Sequence, residues 1–202
     1  MKQTLYPKTQ RISKSKILLT EKLDGSNLGL FKFNNTLVIV QRNNIFTLEE
    51  LDQVTYKGLK QWLSEYSKEL LADLHDGSGV FGEWIGMGQI NYQNRLSKKL
   101  YIFAKANITF NAESGFYEVW KINYNPELFI YPFQSQQIPD CMGIVPIINE
   151  EITNINKEEL DKIYDTYCKH QDGKVEGFIV NNNDSIHKYV RLKDGKFEEH
   201  HE

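Results

Sequence analysis

The stretch EKLDGSNLGLFKFNNTLVIVQ occupies residues 21–41, and its two halves set the terms on which the chain is read. In residues 28–41 two β-rich runs flank Asn34-Asn35. Asparagine tolerates the positive φ that a tight hairpin turn requires, so this half predicts an antiparallel hairpin. The other half sets Lys22 between Glu21 and Asp24 and continues into Gly25, Ser26 and Asn27. A solvated loop would use these residues without purpose, whereas a covalent nucleotide site would need each of them. Gly25 permits close backbone approach to a ligand. Ser26 and Asn27 offer donors to ribose or phosphate oxygens. A lysine amine attacks phosphorus only when neutral, and its ordinary pKa is ~10.4. Glu21 and Asp24 would hold the charge on, so a reactive Lys22 needs other cations nearby, a metal ion included.

Outward from this stretch the pattern is mostly strands. Residues 80–84, 101–108, 115–122, 177–180 and 187–192 read as short strands. Thr47-Leu-Glu-Glu50 is a capping box, and behind it Leu48, Leu51, Val54, Leu59, Trp62, Leu63, Tyr66, Leu70 and Leu74 recur near helical spacing, with Gly58 as a break. A second helix is predicted over 156–169, capped by Asn156, with Leu160, Ile163, Tyr164 and Tyr167 as its buried stripe. Strands outnumber helices and hairpins outnumber βαβ units, which gives an α+β fold built on antiparallel sheet.

The 202 residues suit one domain, and 40% hydrophobic and 12% aromatic content is enough for a core without disulfides. Cys141 and Cys168 are too few for a stapled secreted fold. The polar start of the chain is not a signal peptide, and no apolar run approaches the ~18 residues of a membrane span. The expectation is a soluble, intracellular (cytoplasmic) protein. A net charge of −3 argues against sequence-blind nucleic-acid binding but leaves room for a local basic groove. The basic segment 8–16 and the acidic tail FEEHHE, 197–202, read as solvated flanks.

Further along lie other residues suited to the same chemistry. Arg42 ends the hairpin, where a guanidinium can clamp phosphate. Glu83 sits in VFGEWIG and Glu176 in KVEGFIV, each an acid in or beside a strand next to glycine. Arg191 and Lys193 alternate along HKYVRLK, so both point to one face. Each alone reads equally as a strand acid, a turn residue or a solvated face, and Phe103 in YIFAKANI reads as core.

Taken in order, these residues resemble the covalent nucleotidyltransferase superfamily of ATP-dependent nucleic-acid ligases and RNA capping enzymes. EKLDGSN resembles motif I, Arg42 the arginine of motif Ia, FGEWIG motif III, Phe103 the aromatic of motif IIIa, VEGF motif IV and YVRLK motif V. The resemblance spans about residues 21–193 and is nearest to RNA ligases of the RNA ligase 2 type. It implies an antiparallel-sheet, ATP-grasp-like ligase adenylation domain with a few packed helices, filling 1–202 as a single unit without a separate C-terminal OB-fold or helical module. It implies an ATP-dependent RNA ligase working through lysyl-AMP, with Lys22 as nucleophile and Arg191 and Lys193 facing the phosphates. Glu21, Asn27, Arg42, Glu83, Phe103 and Glu176 would join them around the nucleotide. Glu83, Glu176 and Asp24 would hold Mg2+ or Mn2+. The implied substrates are RNA 3′-hydroxyl and 5′-phosphate ends, in a nicked duplex among other forms, handled by a monomer with a separate end-processing or RNA-binding partner where one is needed. A DNA ligase core, a GTP-dependent capping guanylyltransferase and a non-catalytic RNA-end-binding module are the alternatives. Two departures stand out: Arg191 replaces the usual lysine of motif V, and only nine residues follow Lys193.

Overall fold

The computed structural model describes residues 17–42, 44–53, 55–92, 95–124, 132–148, 156–171, 174–182, 185–193 and 196–197. The side chains of 53, 192, 193, 196 and 197 are outside that description. The predicted flanks 8–16 and 198–202, and Val54, lie outside the described residues.

The predicted hairpin forms as β2 (Gly25–Phe33) and β3 (Thr36–Gln41). Asn34 and Asn35 turn between them at φ 48° and 59°, the left-handed pair that a two-residue turn demands. Around it grows a seven-stranded sheet that also holds β4 (Asn44–Thr47), β5 (Ser78–Ile85), β6 (Leu100–Asn111), β7 (Phe116–Asn123) and β8 (Met142–Ile144). Its order is β4-β3-β2-β5-β6-β7, antiparallel, with β8 added in parallel to the start of β6. The second sheet has the order β11-β10-β1-β9, from β1 (Leu18–Lys22), β9 (Ile147–Ile148), β10 (Gly177–Asn181) and β11 (Ile186–Val190). A small pair, β12 (Leu192–Lys193) and β13 (Lys196–Phe197), follows.

Each sheet carries a helix on one face. α1 (Leu59–Asp73) packs Leu59, Trp62, Leu63 and Leu70 into a cluster with Leu28, Leu30, Val80 and Trp84 of the larger sheet. α2 (Lys157–His170) packs Leu160 and Tyr164 against Leu19, Phe178, Val180 and Tyr189 of the smaller one. Its cap is the predicted one: Asn156 Oδ1 accepts the Glu159 N–H at 2.8 Å. The helical run predicted from Leu48 onward divides in two. Residues Leu48–Gln53 form a 3-10 helix, the Thr47 N–H reaches Glu50 Oε2 at 2.9 Å, and Gly58 at φ 79° restarts the chain as α1. The strand predicted over 187–192 ends at Val190. Strand β1 escaped prediction, because only three apolar residues precede its charged end.

The α+β antiparallel expectation therefore holds. The motif around Lys22 is where the two sheets meet: Lys22 closes β1 in the smaller sheet, and Gly25 opens β2 in the larger one.

Candidate functional site

Strand alternation decides what faces what. In β1, Leu19 and Glu21 turn toward α2, so Leu18, Thr20 and Lys22 turn the other way. The same rule sends Ile179 and Asn181 of β10, and Ile186 and Lys188 of β11, to the Lys22 side. In the larger sheet Trp84 packs under α1, which sends its neighbour Glu83 to the opposite face. These uncovered faces of the two sheets enclose a cavity of about 670 Å3. Gly25 and Gly177 keep the strands tight beside it: a Cβ on Gly25 would stand 2.4 Å from Trp84 O, and one on Gly177 1.9 Å from Tyr189 O.

Lys22 lies in this cavity with its Nζ 2.5 Å from Glu176 Oε1. The other carboxylate oxygen, Glu176 Oε2, is buried without a hydrogen-bond partner. Glu83 lines the same space. Burial pushes its carboxyl up to about 7, against the opposing pull of Lys22, with the Glu176 charge adding to the rise. Burial also raises Glu176, while the Lys22 hydrogen bond and charge, and more weakly Lys188, pull it back. The expectation that cations surround Lys22 needs correcting in one respect: the group in contact with its amine is an acid.

The acids flanking Lys22 in sequence are held by other parts of the chain, although Glu21 is among the residues lining the cavity and the Asp24 charge adds to the rise of Glu83 and Glu176. Glu21, expected at the nucleotide, buries its carboxylate on the α2 side, 1% exposed. Arg95 Nη2 donates to its Oε1 at 2.6 Å, Arg95 Nη1 to its Oε2 at 3.1 Å, and the Tyr167 hydroxyl to Oε2 at 2.8 Å. Asp24, expected at the metal, accepts the Gln89 and Ile90 N–H groups on Oδ2 at 2.6 and 2.8 Å. Its own N–H donates to the Tyr92 hydroxyl at 2.7 Å. Arg95 lies over the Tyr92 ring, 5.2 Å from its centroid. Thus Gln89, Ile90, Tyr92 and Arg95 grip the chain on both sides of Lys22. Sequence reasoning missed Arg95 and Tyr92. The signal for a partner was there: once Lys22 faces the cavity, alternation sends Glu21 to the core side, and a buried carboxylate requires a cation.

Asn27, Arg42 and Phe103 line the cavity, as expected. The Asn27 carbonyl accepts the Tyr56 hydroxyl at 2.9 Å. Tyr124, missed in the sequence, also lines it, with its ring 6.3 Å from Phe103 and within 2° of parallel. The cavity thus offers two aromatic faces to a planar base.

Arg191 departs from expectation. Its Nη1 lies 3.2 Å from Asp161 Oδ1 and 3.4 Å from Asp165 Oδ1, and its guanidinium covers the Tyr164 ring at 5.0 Å. All three partners belong to α2, so this side chain is on the far face of the sheet from the cavity. The physical reason is parity, since Arg191 follows Tyr189 by two positions and shares its α2-facing side. The backbone of Lys193 lies in β12, and its side chain is outside the described residues.

A divalent cation finds a partial donor set. Among the described residues no group of three or more His, Cys, Asp or Glu is arranged to hold a metal ion. Glu83 lines the cavity and Glu176 sits beside it in contact with Lys22, with its Oε2 buried without a hydrogen-bond partner. Such a pair suits a hard cation that keeps waters and completes its shell with phosphate oxygens, as Mg2+ does.

A sequence model of the RNA ligase family matches residues 15–193. No curated protein matches the sequence. Two solved structures of an RNA ligase from Naegleria gruberi are similar in fold at 16% identity. One is a glutamate-to-alanine mutant with ATP and Mn, at TM-score 0.51, and the other a lysine-to-methionine mutant with AMP and Mn, at 0.50. Each alignment covers 88% of this chain and 50% of the other, so the chain spans about half the length of those ligases.

Proposed function

The chain belongs to the RNA ligase family, and on that premise we propose that it is an ATP-dependent RNA ligase domain acting through a covalent adenylate on Lys22. The observation that carries this reading is the cavity itself, in which an amine, one raised carboxyl and two aromatic rings converge, with a second raised carboxyl in contact with the amine.

ATP enters as a substrate. The base lies against Phe103 and Tyr124, where stacking accepts any purine. Glu176 holds Lys22 in place, and that pair separates before the amine reacts. Deprotonated Nζ forms a bond to the α-phosphorus, the bond from that phosphorus to the bridging oxygen breaks, and pyrophosphate departs. The AMP then passes from Nζ to the 5′-phosphate of an RNA end. A 3′-hydroxyl attacks that activated phosphate, losing its proton, and AMP leaves as the phosphodiester forms. A divalent cation supplies positive charge to the phosphates when bound, and Glu83 and Glu176 are the residues that would hold it. The substrates are RNA 3′-hydroxyl and 5′-phosphate ends, joined by a monomeric domain or by that domain with an RNA-binding partner.

Mass spectrometry after incubation with Mg2+ and ATP tests the reading. A mass gain of one AMP, mapped to Lys22 and absent with GTP, is expected. Denaturing gels should then show sealing of a nicked RNA duplex bearing a 5′-phosphate. Attachment to another lysine, or none to any, overturns the reading.

A further inference from the structure

The hairpin of β6 and β7 has one packed face and one open face. Ala106, Ile108, Tyr117 and Val119 pack into a cluster with Phe31 and Phe81, on the side away from α1. On the α1 side, Lys105 pairs with Val80 and Asn107 with Ser78. To this row β7 adds Trp120 opposite Asn107, Glu118 opposite Thr109 and Phe116 opposite Asn111, since cross-strand partners share a face. This end of the face is open to solvent: Phe116 is 71% exposed and Trp120 43%. Among the described residues, no strand pairs with the outer edge of β7, which ends its sheet.

We propose that this face of the β6–β7 hairpin binds single-stranded RNA and leads it to the Lys22 cavity. The proposal rests on the reading of the chain as an RNA ligase domain. Its chemistry favours a nucleic-acid strand over a protein. Exposed aromatic rings stack on bases of any sequence, whereas the centre of a protein interface is depleted of charge. Here the rings of Phe116 and Trp120 are interleaved with Asn107, Thr109 and Glu118, whose side chains suit base edges, and with Lys105 and Lys121. The Lys121 ammonium lies 4.6 Å from the Trp120 ring centroid. It puts positive charge beside the indole, where the phosphate of a stacked nucleotide would sit. Glu118, the acid of this row, accepts the Asn111 side-chain amide at 2.8 Å. Phe116 and Trp120 are four residues apart on one strand, about 14 Å, so the occupant is a run of nucleotides and not a single one. Continuity gives that run a destination: β7 ends at Asn123, and the next residue, Tyr124, lines the cavity.

Fluorescence anisotropy on the full chain tests this, with a labelled oligouridylate that lacks a 5′-phosphate. Such a strand cannot accept AMP, so binding is read apart from sealing. Trp120→Ala and Phe116→Ala are each expected to weaken binding by about tenfold, and Trp120→Phe should recover most of the loss. Lys121→Met should lower the salt dependence of binding by about one unit of slope. AMP attachment to Lys22 should be unchanged in all four variants. RNA affinity that ignores both alanine substitutions, or is absent from the wild type, overturns the proposal. So do dimers in ultracentrifugation that Phe116→Ala dissolves while RNA affinity stays unmoved, since the face would then bind protein. If RNA binding depends on Trp120 but the wild type forms no AMP adduct, the RNA surface stands and the ligase reading falls.

Discussion

Glu21 and Arg95 are 74 residues apart in sequence and form a bidentate pair, Nη2–Oε1 at 2.6 Å and Nη1–Oε2 at 3.1 Å. The pair fixes the residue before Lys22 to the segment whose Tyr92 receives the Asp24 N–H after it. Removing one partner from a buried pair leaves a charge without compensation, at a cost of about 3–5 kcal/mol. Arg95→Met should therefore lower the unfolding free energy by about 3 kcal/mol in urea titrations. The double variant Glu21→Gln, Arg95→Met should recover most of it, because no charge is then left buried. A double variant as unstable as the single one would show that packing of Arg95 on Tyr92, and not charge pairing, holds this segment.

Lys22→Ala should abolish AMP attachment and leave the chain folded, since Lys22 is a cavity residue and not a core one. Radiolabelled ATP on denaturing gels, with circular dichroism alongside, checks both halves. A labelled Lys22→Ala protein would remove Lys22 as the nucleophile.

Asp24 and the two acids beside Lys22, Glu83 and Glu176, should separate by metal dependence. Asp24→Asn weakens the turn at Gln89 and Ile90, so it should slow AMP attachment at every Mg2+ concentration by a similar factor. Glu83→Gln and Glu176→Gln should instead raise the Mg2+ concentration needed for half-maximal rate. A Mg2+ shift in Asp24→Asn equal to theirs would return Asp24 to the metal site.

Stability should fall with rising pH in the absence of nucleotide and metal. Burial lifts the Glu83 carboxyl from 4.5 to about 7, so between those values the folded chain keeps a proton that the unfolded chain has lost. The unfolding free energy then decreases as pH rises through that window, by on the order of 3 kcal/mol for this one group. Glu176, also raised, adds to the same slope. Urea titrations from pH 5 to 7.5 should show the slope in the wild type and less than half of it in Glu83→Gln. An undiminished slope in that variant would place the titrating group elsewhere.

Where a feature depends on near neighbours in the chain, it was legible. The Asn34-Asn35 turn, the Asn156 cap and the stripe of Leu160 and Tyr164 are written in local spacing, and all three form as read. Asn27, Arg42, Glu83 and Phe103 were identified by motif, and the fold brings them to one cavity. The positions whose partners the sequence left unread are those that meet a distant element. Asp24 accepts the Gln89 and Ile90 N–H groups. Glu21 pairs with Arg95.

By itself, then, the sequence determined an α+β antiparallel scaffold, a family and a set of chemically apt side chains, because residue type, spacing and period are local properties. Only the tertiary structure decided which of those side chains share the Lys22 cavity. A strand shows its residues to two opposite faces, and which face meets a helix depends on what packs there. With α2 on the Tyr189 side of the smaller sheet, Arg191 goes to the helix and Lys188 to the cavity.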